Sequence, residues 1–136
     1  MGKRNTGASY EKEVELLLET YGLAPFKSQV NIGLKRNGGK HYVDILYNNE
    51  ELISLKYQEV FGTAEEKIPF EIMKLQHAID DYGYKRATIV LSGPDSAWKW
   101  KNYYLSEEFS QNMKKVYPDV RIIENKQFLE EYLLCS

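Results

Sequence analysis

The chain has 136 residues, of which 43% are hydrophobic, and a formal net charge of −2 at pH 7. This length and composition predict one domain, residues 1–136, with a core that needs no disulfide or structural metal. The single cysteine, Cys135, excludes a disulfide framework and favours a reducing compartment, the cytoplasm, and no apolar run is long enough to span a membrane. The net charge also excludes a general phosphate-binding surface, so any nucleic-acid contact must use local basic clusters.

The first half of the chain predicts one helix followed by three strands. Residues 8–21 carry apolar side chains at helical spacing, and Gly22 ends the pattern. Three strand-like segments follow, and the residues between them are typical of turns. The predicted strands cover residues 28–36, 42–47 and 51–58, and the turns cover 37–39 and 48–50.

The second half predicts helices that alternate with single strands. Residues 64–82 form an amphipathic helix, whose regular part begins near Pro69 because proline is tolerated only in the first turn. Residues 87–91 are a short apolar run, typical of a buried strand. A helix at 107–117, a strand at 120–123 and a helix at 126–134 complete the order αβββαβαβα, which is an α/β fold.

Strand alternation indicates which side chains share a face of the sheet. Ser54 and Lys56 point one way from their strand. A three-residue loop at 48–50 places Asp44 opposite Ser54, with Lys56 as the diagonal neighbour. A two-residue loop would place Asp44 opposite Ile53 and turn the carboxylate to the other face, so the hypothesis requires an odd loop or a bulge.

An aspartate and a lysine that share a face suit the hydrolysis of a phosphodiester. This reaction needs an activated water molecule and cations that stabilise the charge developing on oxygen. Carboxylate oxygens bind Mg²⁺, which takes one or two protein carboxylates and keeps several water molecules. Two carboxylates and one lysine sum to −1 and repel DNA, whereas one divalent cation changes that sum to +1.

These motifs resemble those of the PD-(D/E)xK nuclease superfamily. The resemblance implies a restriction-endonuclease-like αβββαβ core over residues 8–91, with a mixed central sheet, flanking helices and a C-terminal αβα extension. It also implies a small homing-type or restriction-type nuclease. The elements that carry it are Gly7-Ala8-Ser9-Tyr10-Glu11, Val43-Asp44, Ser54-Leu55-Lys56, Gln58 and the stretch 56–71.

The sequence departs from the family pattern at two positions. Val43 stands in place of the proline, and Ser54 stands in place of the second acid. In some restriction enzymes a Ser-x-Lys motif is accompanied by a glutamate on the following helix, and Glu71 is fifteen residues after Lys56 (71 − 56). Glu71 is therefore the expected replacement, and Glu66 is the reserve.

The resemblance implies a role for each of these residues. Asp44 and Glu71 are expected metal ligands, with the Leu55 carbonyl as a further ligand. Lys56 would position or activate water, and Glu11 would bind or orient the metal through water. The catalytic set is therefore Asp44, Lys56, Glu71, Glu11 and Gln58, with Mg²⁺ as cofactor and Mn²⁺ as a substitute.

The function expected from the resemblance is a Mg²⁺-dependent endonuclease that cuts double-stranded DNA, either restriction-like or homing-type. The expected assembly is a homodimer or higher homo-oligomer, so that two sites cut two strands. Lys35, Arg36 and Lys40 form the expected DNA-binding cluster. Two alternatives stay open: an inactive DNA-binding or interaction module on the same fold, with Ser54 marking a lost site, and a nuclease that resolves DNA junctions.

Three further residues near these motifs have two interpretations each. His41 could act as a base, but an exposed histidine beside a turn is the commoner case. Trp98 and Trp100, with neighbouring lysines, could stack on exposed bases, but packing of at least one of them in the core is favoured.

Overall fold

A five-stranded sheet lies at the centre of the protein. The computed structural model describes residues 7–60, 62 and 64–134. Cys135 lies outside them. The helices are α1 (Gly7–Tyr21), α2 (Ile68–Tyr82), α3 (Lys101–Tyr104), α4 (Glu107–Val116) and α5 (Asn125–Tyr132). The strands are β1 (Phe26–Leu34), β2 (Lys40–Tyr47), β3 (Glu51–Tyr57), β4 (Arg86–Ser92) and β5 (Val120–Glu124).

The strands lie in the order β1-β2-β3-β4-β5. The pairs β1–β2 and β2–β3 are antiparallel, and the pairs β3–β4 and β4–β5 are parallel. A mixed sheet with this order confirms the predicted αβββαβ core and its αβα extension. The apolar run of β4 is buried from Ala87 to Ser92, as expected for a parallel strand covered on both faces.

Two hydrophobic clusters cover the two faces of the sheet. On one face, α2 packs Ile68, Ile72 and Leu75 against strand residues such as Leu52 and Ile89. On the other face, α1 and α5 pack against β3, β4 and β5. The residues of this second cluster include Tyr10, Val14, Leu18, Ile53, Leu55, Val90 and Phe128. Successive residues of β3 therefore alternate between the two faces, as the sequence predicted.

The start of α2 agrees with the position predicted from proline. A 3₁₀ turn, Glu65–Lys67, precedes the helix, and Pro69 lies in its first turn, where its missing N–H costs no hydrogen bond. Gly83 ends the helix in the left-handed conformation, with a φ of 81°.

Strand β1 begins two residues earlier than predicted, and α3 and the 3₁₀ turn Asp95–Ala97 were not predicted. The missed segment is organised by a distant residue, since the buried Glu65 carboxylate accepts hydrogen bonds from the backbone N–H groups of Lys99 and Trp100. Trp98 is buried and its Nε1 donates to the Ser92 carbonyl (3.0 Å), which confirms that one tryptophan belongs to the core. Trp100 is exposed.

The β1–β2 hairpin changes faces along its length. Phe26 and Tyr47, at its base, pack with the α1 cluster, whereas Val30 and Val43 pack with the α2 cluster. In regular strands, Phe26 and Val30 would lie on one face because side chains alternate with period two. The reversal falls at Gln29, whose φ is 50°, and at the level of Asp44 on the neighbouring strand. Beyond it, the outer half of the hairpin lies over α2.

None of the helices within the described ranges is both long and apolar enough to cross a membrane.

Candidate active site

Asp44 lies where β2 separates from β3. The hairpin pairs Tyr47 with Glu51 and continues to Ile45 and Ile53, which confirms the three-residue loop. At the next position, Asp44 Oδ2 accepts a hydrogen bond from the Leu55 backbone N–H (2.7 Å). This register, continued by one residue, places Asp44 level with Ser54, and the hydrogen bond of the carboxylate is with the next residue, Leu55.

A second carboxylate, Glu11, lies beside Asp44. Gln29 Nε2 contacts both acids, at 3.4 Å from Glu11 Oε2 and 3.5 Å from Asp44 Oδ1. Burial and the negative charge of Asp44 raise the pKa of the Glu11 carboxyl to about 7 from its ordinary value of 4.5. Two neighbouring carboxyl groups resist carrying two negative charges, and a cation bound by both would remove that conflict.

Lys56 forms an ion pair with a carboxylate of α2. Its Nζ lies 3.2 Å from Glu71 Oε2, and Lys74 Nζ lies 3.6 Å from the same oxygen. Burial raises the pKa of the Glu71 carboxyl, but the two ammonium groups outweigh burial and hold it below its ordinary value. Glu71 is therefore a carboxylate with its charge already balanced. Lys56 also lowers the pKa of Glu11, so its positive charge acts on both Glu71 and Glu11.

The donor set fits a hard divalent cation. Three carboxylates (Glu11, Asp44 and Glu71) and two ammonium groups (Lys56 and Lys74) sum to −1, and one divalent cation changes this sum to +1. Within the ranges that the structure describes, no three acidic, histidine or cysteine side chains form one metal-binding group. Magnesium commonly takes only one or two protein carboxylates, which the Glu11–Asp44 pair supplies.

Two residues of the predicted nuclease motif, Ser54 and Gln58, are buried, and Gln58 makes a structural contact. Ser54 is buried on β3. Gln58 is also buried, and its Nε2 donates to the Ala97 carbonyl. A Cβ atom added to Gly93 would lie 2.0 Å from the Gln58 carbonyl oxygen, so the backbone here packs against the loop after β4. The contacts of Gln58 connect β3 to that loop rather than to the acidic pair.

The predicted DNA-binding cluster surrounds the outer end of the β1–β2 hairpin. The Lys35 backbone closes the turn with Gly39, and Lys40 is exposed at the start of β2. Arg36 makes two hydrogen bonds of 3.1 Å to Asp81 on α2. The hydrogen bonds that Arg36 donates to Asp81 raise the pKa of the Arg36 guanidinium. Arg36 therefore already has an acidic partner, whereas Lys40 extends from the hairpin.

Three features of the site were not predicted from the sequence. Gln29, which joins Glu11 to Asp44, carries no motif, and its positive φ is unusual for a residue other than glycine. Lys74 could have been found from its position three residues after Glu71 on the same helix. His41 was expected to be exposed but is only 5% exposed, because the outer half of the hairpin lies over α2.

Comparison with known proteins identifies one family. A family model described as the PD-(D/E)XK nuclease superfamily domain matches residues 3–131. No curated protein and no solved structure matches the chain. The matched range contains α1, all five strands and every residue of the site, and it confirms both the resemblance and the restriction-endonuclease-like fold.

Proposed function

Because the chain belongs to the PD-(D/E)XK nuclease superfamily, we propose that it is a metal-dependent endonuclease that hydrolyses phosphodiester bonds of double-stranded DNA. The observation that carries this proposal is the Glu11–Asp44 carboxyl pair, in which burial and the negative charge of Asp44 raise the pKa of Glu11 to about 7. A pair of acids with this cost is typical of a functional site rather than of a surface.

Asp44 and Glu11 are the residues proposed to hold Mg²⁺, with Mn²⁺ as a substitute. The family resemblance gives the Leu55 carbonyl as a further ligand, and the Leu55 N–H is hydrogen-bonded to Asp44. A bound divalent cation would supply positive charge for the phosphoryl oxygens and acidify a water molecule. The chain itself contributes two hard oxygen donors and a glutamine amide that fixes their orientation.

Lys56 is proposed to orient the attacking water molecule and to stabilise negative charge on the phosphate. Its Nζ is fixed by Glu71, which is one reason to give Glu71 a positioning role. The family resemblance instead gives Glu71 a ligand role. A Glu71→Gln variant separates the two: a ligand loses Mn²⁺ affinity, whereas a positioning residue retains affinity and loses turnover.

Three further parts of the proposal concern assembly, DNA contact and compartment. One site cuts one strand, so cleavage of both strands favours a homodimer or higher homo-oligomer, which light scattering with size-exclusion chromatography would detect. Lys35 and Lys40 are proposed to contact DNA phosphates, and Arg36 would do so while Asp81 also holds it. The single Cys135 is consistent with the reducing cytoplasm.

The competing proposal is an inactive DNA-binding module on the same fold. Its specific support is Ser54, which stands where the family has its second acid. In this case the protein would bind DNA without metal-dependent cleavage, and Lys56→Ala would behave as wild type in every nuclease assay.

A plasmid-cleavage assay tests the proposal. Wild type is expected to nick or linearise supercoiled plasmid with Mg²⁺ or Mn²⁺ and to stop with EDTA. Asp44→Asn replaces a negatively charged metal ligand by a neutral one, while its amide oxygen can still accept the hydrogen bond from the Leu55 N–H. The cleavage rate should fall at least about 100-fold. Glu108→Gln, an exposed change on α4 that also replaces a carboxylate by an amide, is the matched control.

Intact plasmid under all of these conditions, together with no Mn²⁺ binding by calorimetry, would contradict the nuclease proposal. Branched and linear duplexes in competition separate a junction-resolving enzyme from one that cuts linear DNA.

A further inference from the structure

A pocket lies beside the candidate active site, between the outer half of the β1–β2 hairpin and α2. Its volume is about 310 Å³, which falls in the range of small-molecule sites, and its surface is mostly apolar. The residues that line it include Leu34, His41, Phe70, Met73, Lys74 and His77. The acidic pair and Lys56 are outside this lining, so the pocket is a separate cavity from the proposed metal site.

One buried polar group lines this pocket without a partner. His41 is 5% exposed, and among the described residues its Nε2 has no hydrogen-bond partner. A buried nitrogen left unpaired costs free energy, which a ligand with a polar edge would recover. Phe70 is 54% exposed on the rim, although most large apolar side chains of α2 face the sheet. The pocket therefore offers an aromatic side chain and an unused hydrogen-bonding atom.

The charge around the pocket is positive and continues into the active site. Lys35 and Lys74 line it, and Lys74 Nζ lies 5.1 Å from the centre of the Phe70 ring. Lys74 also contacts Glu71, the residue that holds Lys56. A ligand with an aromatic part in the pocket and an anionic part near the lysines would thus extend toward the proposed catalytic lysine.

We propose that this pocket receives one unstacked nucleobase of the bound DNA, next to the phosphate at the active site. This inference rests on the proposed function and adds to it a preference for DNA with an unpaired base. A nucleobase has apolar faces for Phe70 and Met73 and a polar edge for His41. Its own strand supplies phosphates for Lys35 and Lys74. A neutral apolar ligand would fill the pocket but would have no anionic group for Lys35 and Lys74.

The outer half of the hairpin is fixed over α2 by contacts that keep the pocket formed. The Tyr82 hydroxyl donates to the Leu34 carbonyl (2.9 Å) and accepts from the Leu34 N–H (2.8 Å). Gly33 has a φ of 122°, and a Cβ there would lie 2.3 Å from the Tyr82 ring, so only glycine allows this approach. The pocket wall is therefore built by specific contacts rather than by a loosely placed loop.

A binding experiment without catalysis tests the proposal. Fluorescence anisotropy in EDTA compares two labelled duplexes that differ by one mispaired nucleotide. Opening a matched pair costs free energy that a mispair has already lost, so wild type should bind the mispaired duplex at least about tenfold more tightly. Met73→Trp fills the pocket and should reduce this ratio to about one. Leu16→Trp, an exposed change on α1, should keep it.

A second measurement uses wild type alone, in case Met73→Trp fails to fold. A 5-iodouracil base at the mispaired position is irradiated, and the crosslinked peptide is identified by mass spectrometry. Crosslinks to Phe70, Met73 or His77 support the pocket.

Equal affinity for the two duplexes overturns the pocket proposal, as does a preference unchanged in folded Met73→Trp or crosslinks elsewhere. Each of these results leaves the nuclease proposal intact. Plasmid cleavage that fails while the mispair preference persists contradicts only the nuclease activity. A complete absence of DNA binding overturns both.

Discussion

Replacing Glu11 with glutamine should stabilise the protein at pH 8 but not at pH 4.5. The carboxyl has a pKa of about 7 in the folded protein, compared with an ordinary value of 4.5. Between these values the folded chain binds more protons than the unfolded chain, so the free energy of unfolding falls as pH rises. The stabilisation is fully present below pH 4.5 and is lost once pH passes about 7.

The expected size of the effect follows from the difference between the two pKa values. A difference from 4.5 to about 7 corresponds to about 3 kcal/mol. Glu11 is partly exposed, so solvent screening reduces this to about 1–2 kcal/mol. Glu11→Gln removes both the partly buried charge and its repulsion from Asp44 while keeping a similar shape, and its free energy of unfolding at pH 8 should therefore exceed that of wild type by about 1–2 kcal/mol.

Urea unfolding in EDTA at pH 4.5 and pH 8 measures this difference. Glu13→Gln, an exposed change on the same helix, is the matched control and should be nearly neutral. Mn²⁺ at pH 8 should then stabilise wild type more than Glu11→Gln, because only the wild-type pair gains from the cation. A Glu11→Gln variant that is less stable than wild type at pH 8, or shifted equally at both pH values, would refute the repulsive pair.

Four other substitutions test contacts at the site and in the surrounding fold. Lys56→Ala should lower the cleavage rate at least about 100-fold and also cost about 1–3 kcal/mol in urea unfolding, since Glu71 keeps only one ammonium partner. Gly93→Ala should cost at least about 3 kcal/mol, because its Cβ would meet a backbone carbonyl at 2.0 Å, whereas Gly38→Ala, with a φ of 90° and open space, should cost about 1–2 kcal/mol. Glu65→Ala should leave two backbone N–H groups unpaired and cost about 2–4 kcal/mol, with faster amide hydrogen exchange in the segment 99–104; unchanged exchange there would contradict this role.

Local patterns were sufficient to predict most of the fold. Helix α2 follows from its apolar spacing, Pro69 and Gly83, which are all local signals. The three-residue turn between β2 and β3 follows from its composition, and two residues of that turn, Asn48 and Asn49, adopt positive φ values of 54° and 59°. These elements are predictable because the residues that determine them are neighbours in sequence.

The site was harder to predict because distant contacts determine its geometry. Strand alternation and the three-residue turn gave the face of Lys56 and the register of Asp44, but they did not give the contact of Asp44 with Gln29, or its closeness to Glu11, because these residues lie on other elements. Glutamine rarely adopts a positive φ, so the residue type at position 29 did not predict the reversal of the strand. The burial of His41 likewise depends on a hairpin that lies over a helix encoded about thirty residues later. Single-sequence patterns contain no information about such contacts.

The face reversal at Gln29 and Asp44 divides the β1–β2 hairpin into two halves that pack against different helices. The inner half is anchored with α1 beside the carboxyl pair, and the outer half is anchored to α2 by Tyr82. Residues added or removed at the tip, between Leu34 and Lys40, would shift only the outer half. Insertions or deletions could thus remodel the tip, where the proposed DNA contacts lie, while the carboxyl pair at the base keeps its geometry.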